Sequence, residues 1–235
     1  MSIRDYLSRK PFSIVGHRGA AGLARENTLK ALREAVRAGA DVVEFDVQST
    51  RDGALVASHD DIIVSDEGER VSIRGSTLGD LRRVRVGGEE VPLVDYILEE
   101  ARGNVGVFLE VKHVEDSRAV VDKVAQLNSK DYVAIISFHE TPLVEARAAG
   151  ITTGILYFKP PGRILDCPRI GCSIVLPRFN LATEKAVSLA HKLKLIVVAW
   201  TVNDLDTMMA LVARGVDAIA TDYPNKAREL REKYR

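Results

Sequence analysis

Asp41-Val42-Val43-Glu44-Phe45-Asp46-Val47-Gln48-Ser49-Thr50-Arg51-Asp52-Gly53-Ala54-Leu55-Val56-Ala57-Ser58 holds two β-rich runs separated only by Gln48–Gly53. A parallel crossover needs a dozen or more residues. The run Ala54–Ser58 must therefore return beside Asp41–Val47 as an antiparallel hairpin arm, turned at Asp52-Gly53. The other strand candidates are Ser13–Gly16, Val105–Val111, Tyr132–Phe138, Thr153–Phe158, Ser173–Phe179, Leu195–Val202 and Val216–Thr221. With the hairpin arm set aside, eight parallel strands remain in a chain of 235 residues, close to the usual size of a barrel, about 250 residues. The expected fold is α/β: one (β/α)₈ TIM barrel over residues 1–235, with a β-hairpin excursion and a small insertion after the second strand. An open doubly wound sheet is the alternative, and no Gly-x-Gly-x-x-Gly turn supports a dinucleotide site.

Helical periodicity fills the gaps between strands, in Asn27–Ala38, Asp116–Leu127, Thr141–Ala149, Thr183–Leu193 and Asp204–Arg214. Asn27 is the expected N-cap of the first, with Gly39 as its stop, and Gly150 and Gly215 end two others. The segment Asp61–Val91 is polar, with one short helical stretch at Leu78–Val84, and follows directly on His59. It reads either as a lid over a site or as an ordinary surface insertion.

The chain carries 33 basic and 33 acidic residues, for a formal charge of zero. That balance argues against binding nucleic acid or an anionic membrane through a whole-protein field. No apolar run approaches the roughly 20 residues of a membrane span, and Met1–Lys10 lacks an apolar stretch of signal-peptide length. A cytoplasmic protein without stable membrane insertion is expected. The two cysteines, Cys167 and Cys172, have no histidine nearby to complete a zinc site and read as structural thiols or a local disulfide.

Chemistry gathers at the ends of the strand candidates. His17-Arg18 follows the first, Glu44-x-Asp46 lies in the second, His59-Asp60 follows the hairpin arm, and Glu110-x-Lys112 closes the next. Side chains two apart on a strand share a face, so Glu44 and Asp46 point together, as do Glu110 and Lys112. In βα barrels the site lies at these C-terminal ends. Glu44, Asp46 and Glu110 form an all-oxygen set suited to a hard divalent cation, Ca²⁺ or Mg²⁺ with Mn²⁺ a third candidate. A metal-free ring with Arg18 and Lys112 is the competing reading. His17 and His59 can exchange protons near neutral pH, Lys112 can reach a phosphate oxygen, and Trp200 offers either core packing or an apolar wall for a substrate carbon chain. The other three histidines are weaker candidates: His113 should face away from Lys112, His139 reads as a pocket-rim residue or a plain surface one, and His191 as a surface residue. Further strand ends carry Phe138, Lys159, Arg178, Asn203 and Asp222. Proton carriers, acids and cations together suit metal-assisted attack on a phosphate ester.

In order, His17-Arg18-Gly19, Glu26-Asn27-Thr28, Glu44-x-Asp46, Asp52-Gly53, His59-Asp60, Glu110-x-Lys112, Trp200-Thr201-Val202-Asn203 and Thr221-Asp222-x-Pro224 span nearly the whole chain. This ordered set resembles the glycerophosphodiester phosphodiesterase family. The resemblance implies a (β/α)₈ barrel that hydrolyses glycerophosphodiesters to sn-glycerol 3-phosphate and an alcohol. It implies Glu44, Asp46 and Glu110 as metal ligands, His17 and His59 as the acid/base pair, and Arg18 and Lys112 on the phosphate. Departures are Arg25 where Pro is usual, the loss of Arg-Thr-Thr after His59-Asp60, and Val91-Pro92-Leu93-Val94-Asp95 in place of Ile-Pro-Thr-Leu-Glu. The implied partner is a small-molecule glycerophosphodiester, with head group and oligomeric state left open. Three rivals stand beside this reading. They are a lysophospholipase D or sphingomyelinase D-like enzyme on a larger lipid, a non-catalytic glycerophosphodiester-binding barrel, and a metal-free barrel isomerase, which leaves the three acids unexplained.

Overall fold

The computed structural model describes residues 1–234. Eight parallel strands close into a barrel: β1 Ser13–Gly16, β2 Val42–Ser49, β6 Gly106–Val111, β7 Val133–Ser137, β8 Thr152–Tyr157, β9 Ile174–Pro177, β10 Ile196–Ala199 and β11 Ala218–Thr221. Closure is direct, because β1 pairs in parallel with both β2 and β11. The strands are buried along nearly their whole length. Their Val, Ile and Leu side chains fill the barrel on one face and the layer beneath the helices on the other. β3, Leu55–Ala57, runs antiparallel to β2 with Val47 opposite Ala57, as the short connection requires.

The helix Leu29–Arg37 shows how the outer layer is built. It buries Ala31, Leu32 and Ala35, one stripe of an otherwise charged helix. Its N-cap is Thr28, whose hydroxyl accepts from the Ala31 N–H at 3.1 Å, and not the expected Asn27. Asn27 instead has φ +56° and turns its amide inward to Asp46, so a cap-type residue is taken by the site. The helix expected at Asp116–Leu127 spans Ser117–Gln126 after a short 3₁₀ turn, Val114–Asp116. At the other end of the barrel, the short helix Ile3–Tyr6 buries Ile3 and Tyr6, and the Ile3 N–H donates to the Asp131 carbonyl.

The segment after His59 is more ordered than its composition suggests. β4 Ile62–Val64 and β5 Arg70–Ser72 form a hairpin, and a one-turn helix, Leu78–Leu81, follows. Ile73, Leu81, Val84, Val86 and Val91 pack on Val56 of β3 as a small second core. These apolar residues come singly among polar ones, so no period announces them. Cys167 and Cys172 are joined in a disulfide across the end of the helix Asp166–Ile170. Among the described residues no helix is long and apolar enough to cross a membrane.

Candidate active site

β2 and β6 lie in a register that sets Glu44 opposite Phe108 and Asp46 opposite Glu110. Parallel partners point to the same face, so two inward acids from β2 meet a third from β6. One carboxylate oxygen from each of Glu44, Asp46 and Glu110 lies within 4.8 Å of the others. The turn after β1 brings the next groups. A Cβ on Gly16 would meet the Gly19 carbonyl oxygen at 2.0 Å, so only glycine lets the chain double back there. That turn presents His17, and the Arg18 backbone N–H donates to Glu44 Oε2 at 2.9 Å.

His17 is oriented from behind. Its Nδ1 lies 2.7 Å from Asp222 Oδ1, and its Nε2 points back toward Glu44 Oε2 at 4.0 Å. Asp222 is in turn held by the Asn203 amide, which donates to Oδ2 at 2.6 Å. His59 is arranged alike, with Nδ1 2.7 Å from Asp60 Oδ1. The Asp60 side chain is 74 % exposed, however, against 24 % for Asp222, so the second pairing is far less fixed. Burial works against a charged His17, but the Asp222 hydrogen bond and the Glu44 charge outweigh it and raise its pKa.

The acids are too many for their surroundings. Burial, with the charges of Asp46 and Glu110 added, pushes Glu44 up to about 8 against the relief given by His17. Glu110 is raised by burial and by Asp46 in the same way. Asp46 stays low despite its burial because Lys112 and Arg18 lie beside it. Lys112 Nζ is 3.2 Å from Asp46 Oδ1 and 3.1 Å from Glu110 Oε1, and Arg18 Nε is 3.3 Å from Asp46 Oδ2. Neither the Glu110 nor the Arg18 contact has the direction of a hydrogen bond, and Glu44 Oε1 is buried with no partner among the described residues. Oxygen-only donors, one of them orphaned, fit a hard divalent cation.

His17, Arg18, Glu44, Asp46, His59, Glu110, Lys112 and Trp200 all line one pocket of about 250 Å³ at the C-terminal ends of the strands. His139 does not: it is exposed and precedes the helix Glu140–Ala148, outside the pocket lining. His191 bonds Asp217 at the surface, and His113 is half-buried outside the pocket. Sequence alone assigned Asp222, Asn203 and Glu26 no specific role, and Asn27 only that of a helix cap. Glu26 holds Arg18 Nη1 with both oxygens at 2.9 Å, and Asn27 donates to Asp46 Oδ2 at 3.0 Å. All four stand inside the ordered motifs, but partners such as His17 and Asp222, 205 residues apart, can be matched only in the fold.

The chain matches known proteins over most of its length. Residues 17–167 and 165–226 match the glycerophosphoryl diester phosphodiesterase family model. A glycerophosphodiester phosphodiesterase of Bacillus altitudinis is 26 % identical over 243 residues, covering 93 % of this chain and 98 % of that one. YhdW of Bacillus subtilis is 28 % identical over 230 residues, covering 90 % of this chain and 95 % of its own. An Oleispira antarctica phosphodiesterase, solved with its product sn-glycerol 3-phosphate, superposes with a TM-score of 0.84 at 24 % identity, covering 93 % of this chain and 96 % of that one. The barrel, the ordered motifs and these matches agree: the chain belongs to the glycerophosphoryl diester phosphodiesterase family, a family of phosphoric diester hydrolases.

Proposed function

We propose that this enzyme hydrolyses glycerophosphodiesters to sn-glycerol 3-phosphate and an alcohol, with His17 and His59 as its proton carriers. The observation that carries the reading is the convergence of both histidines, Arg18, Lys112 and three carboxylates on one pocket. A divalent cation, Ca²⁺, Mg²⁺ or Mn²⁺, would be held by Glu44, Asp46 and Glu110. When bound, it supplies positive charge for the nonbridging phosphate oxygens and offsets the repulsion among the acids. The protein's own groups do the rest. Arg18 and Lys112 neutralise the phosphate and the charge that grows on it during displacement. With its Nδ1 proton given to Asp222, His17 presents the Nε2 lone pair to the pocket and takes a proton from the attacking oxygen. His59, its Nδ1 on Asp60, delivers a proton to the departing alcohol.

Assay of glycerol 3-phosphate released from glycerophosphocholine, with and without EDTA, tests the reading. Release that stops on chelation and returns with added cation supports it. No release under any metal condition overturns it, and full activity after exhaustive chelation removes the metal from it.

A further inference from the structure

The three acids are held unequally, and the holding falls on particular oxygens. Asp46 Oδ2 receives the Asn27 amide at 3.0 Å, and Arg18 Nε stands 3.3 Å from the same atom. A carboxylate oxygen has two lone pairs, so N–H groups from two residues take up Oδ2. Asn27 Oδ1 also accepts the Asp46 backbone N–H at 3.2 Å, which fixes the two residues as a pair. Glu44 is held from the backbone instead. Its Oε2 receives the Arg18 N–H at 2.9 Å, while Oε1 is the buried oxygen with no partner among the described residues. The other Asp46 oxygen, Oδ1, is approached by Lys112 Nζ. The Lys112 contact with Glu110 Oε1 lacks hydrogen-bond direction, so Glu110 is left unlocked.

The backbone is bent to make this arrangement. Arg18 and Asn27 have φ of +50° and +56°, and the Asn27 N–H donates to the Arg18 carbonyl at 3.1 Å. A residue other than glycine held at positive φ stores strain that its surroundings must offset. Capping does not explain it, because Thr28 caps the following helix. The bonds to Asp46 do. The two locks also differ in kind: the one on Glu44 is a backbone N–H, which no substitution of a side chain removes, and the one on Asp46 is the Asn27 amide. Asn27 is buried and does not line the catalytic pocket, so it acts through Asp46 as a positioning residue.

Divalent cations differ in what they ask of a carboxylate. Ca²⁺ gathers roughly six to eight oxygens and takes carboxylates through one oxygen or both. Mg²⁺ demands a compact octahedral shell and keeps several waters or phosphate oxygens beside its few carboxylate oxygens, and Mn²⁺ shares its preference for octahedral oxygen sites. We propose, resting on the cation of the phosphodiesterase reading above, that Asn27 sets which cation this site takes. By occupying Oδ2 it confines Asp46 to a single oxygen, Oδ1, and so favours Mg²⁺ and Mn²⁺ over Ca²⁺. With Glu44 confined to Oε1 by the Arg18 N–H, two of the three acids then offer one oxygen each. Such a site leaves a large cation short of ligands and suits a small one.

The experiment titrates the metal-free protein with Mg²⁺, Mn²⁺ and Ca²⁺ separately in a calorimeter, as wild type and as Asn27→Gly. Glycine keeps the positive φ without strain and removes both side-chain bonds. In the wild type Mg²⁺ and Mn²⁺ should bind more tightly than Ca²⁺. In Asn27→Gly their affinity should fall by about 10–100-fold, the usual cost of removing a group that orients a metal ligand. Ca²⁺ affinity should change by less than about threefold, because Asp46 can then offer its second oxygen. The wild-type order needs no variant, so it decides even where Asn27→Gly does not fold. Ca²⁺ bound more tightly than Mg²⁺ and Mn²⁺ by the wild type overturns this inference and leaves the phosphodiesterase reading standing. Asn27→Gly weakening all three cations alike, or none, overturns Asn27 as the residue that chooses. A wild type that binds none of the three overturns this inference and the cation of that reading together.

Discussion

His17 and Lys112 show what a single side chain can decide at this site. Ala at either His17 or His59 is expected to lower kcat by at least about 10²-fold with the fold intact, as circular dichroism and steady-state rates will report. The double mutant should lose far less than the product of the two, because the pair acts as one unit. Asp222→Asn should lower kcat by at least about 10-fold. That is less than the roughly 10⁴-fold cost of amidating the buried acid of a serine-protease triad, because Asp222 is only half-buried. The same change removes a bond that raises the His17 pKa, so in the metal-free protein that pKa, followed by NMR, should move down. An unmoved His17 pKa would show that Asp222 does not act through it. Lys112→Met separates phosphate binding from charge balance. A phosphate ligand's loss should cost about 10²–10³-fold in turnover, while calorimetric metal affinity holds or rises as a neighbouring cation disappears. If Lys112 only balances Asp46 and Glu110, the mutant should instead lose roughly 3–5 kcal/mol of stability and bind no metal in either form.

Among the elements, the insertion after His59 holds most of what the sequence concealed. Its strands are three residues each and its helix a single turn, too short for either period to show. The hydrophobic residues that fix it work only as a cluster on Val56. Replacing 61–90 with a short Gly-containing bridge should leave the barrel folded, since loop length itself costs little, but Val56 then loses its cover. Re-exposing one such side chain costs about 1.5–3 kcal/mol, which lowers the melting temperature of a chain this size by roughly 2–4 °C per kcal/mol. Calorimetry will show whether one smaller transition remains. An insoluble product would mean that the segment is part of the barrel's own core. The hairpin β2–β3 was, by contrast, fully legible: its six-residue connection permits one topology only.

For the whole molecule, the proposed cation among the buried acids would tie stability to metal binding. Burial and the Asp46 charge hold Glu44 and Glu110 above their usual pKa, and the Glu110 charge adds to the rise at Glu44. A bound cation at a hundredfold its Kd should therefore stabilise the fold by about 2.7 kcal/mol, a rise of roughly 5–10 °C in melting temperature for a domain of this size. Thermal melts with EDTA and then with Ca²⁺, Mg²⁺ or Mn²⁺ will measure it. A melting temperature indifferent to all three would show that Lys112 and Arg18 alone balance the acids.

Taken alone, the sequence determined the barrel and the strand ends where the candidate site residues gather, because both follow from local rules. Strand period places Glu44 with Asp46 and Glu110 with Lys112, and eight strands of one direction have few ways to bury both faces. Asn27 marks the limit of such rules: its type and position fit a helix cap, yet Asp46 competes for the same amide and wins. The pairing of Asp222 with His17, the partnerless oxygen of Glu44 and the bare aromatic wall of Phe138, Phe158 and Trp200 belong to the tertiary structure. Each depends on which atoms of distant strands come within a hydrogen bond or a van der Waals contact, and no spacing along one chain encodes that distance.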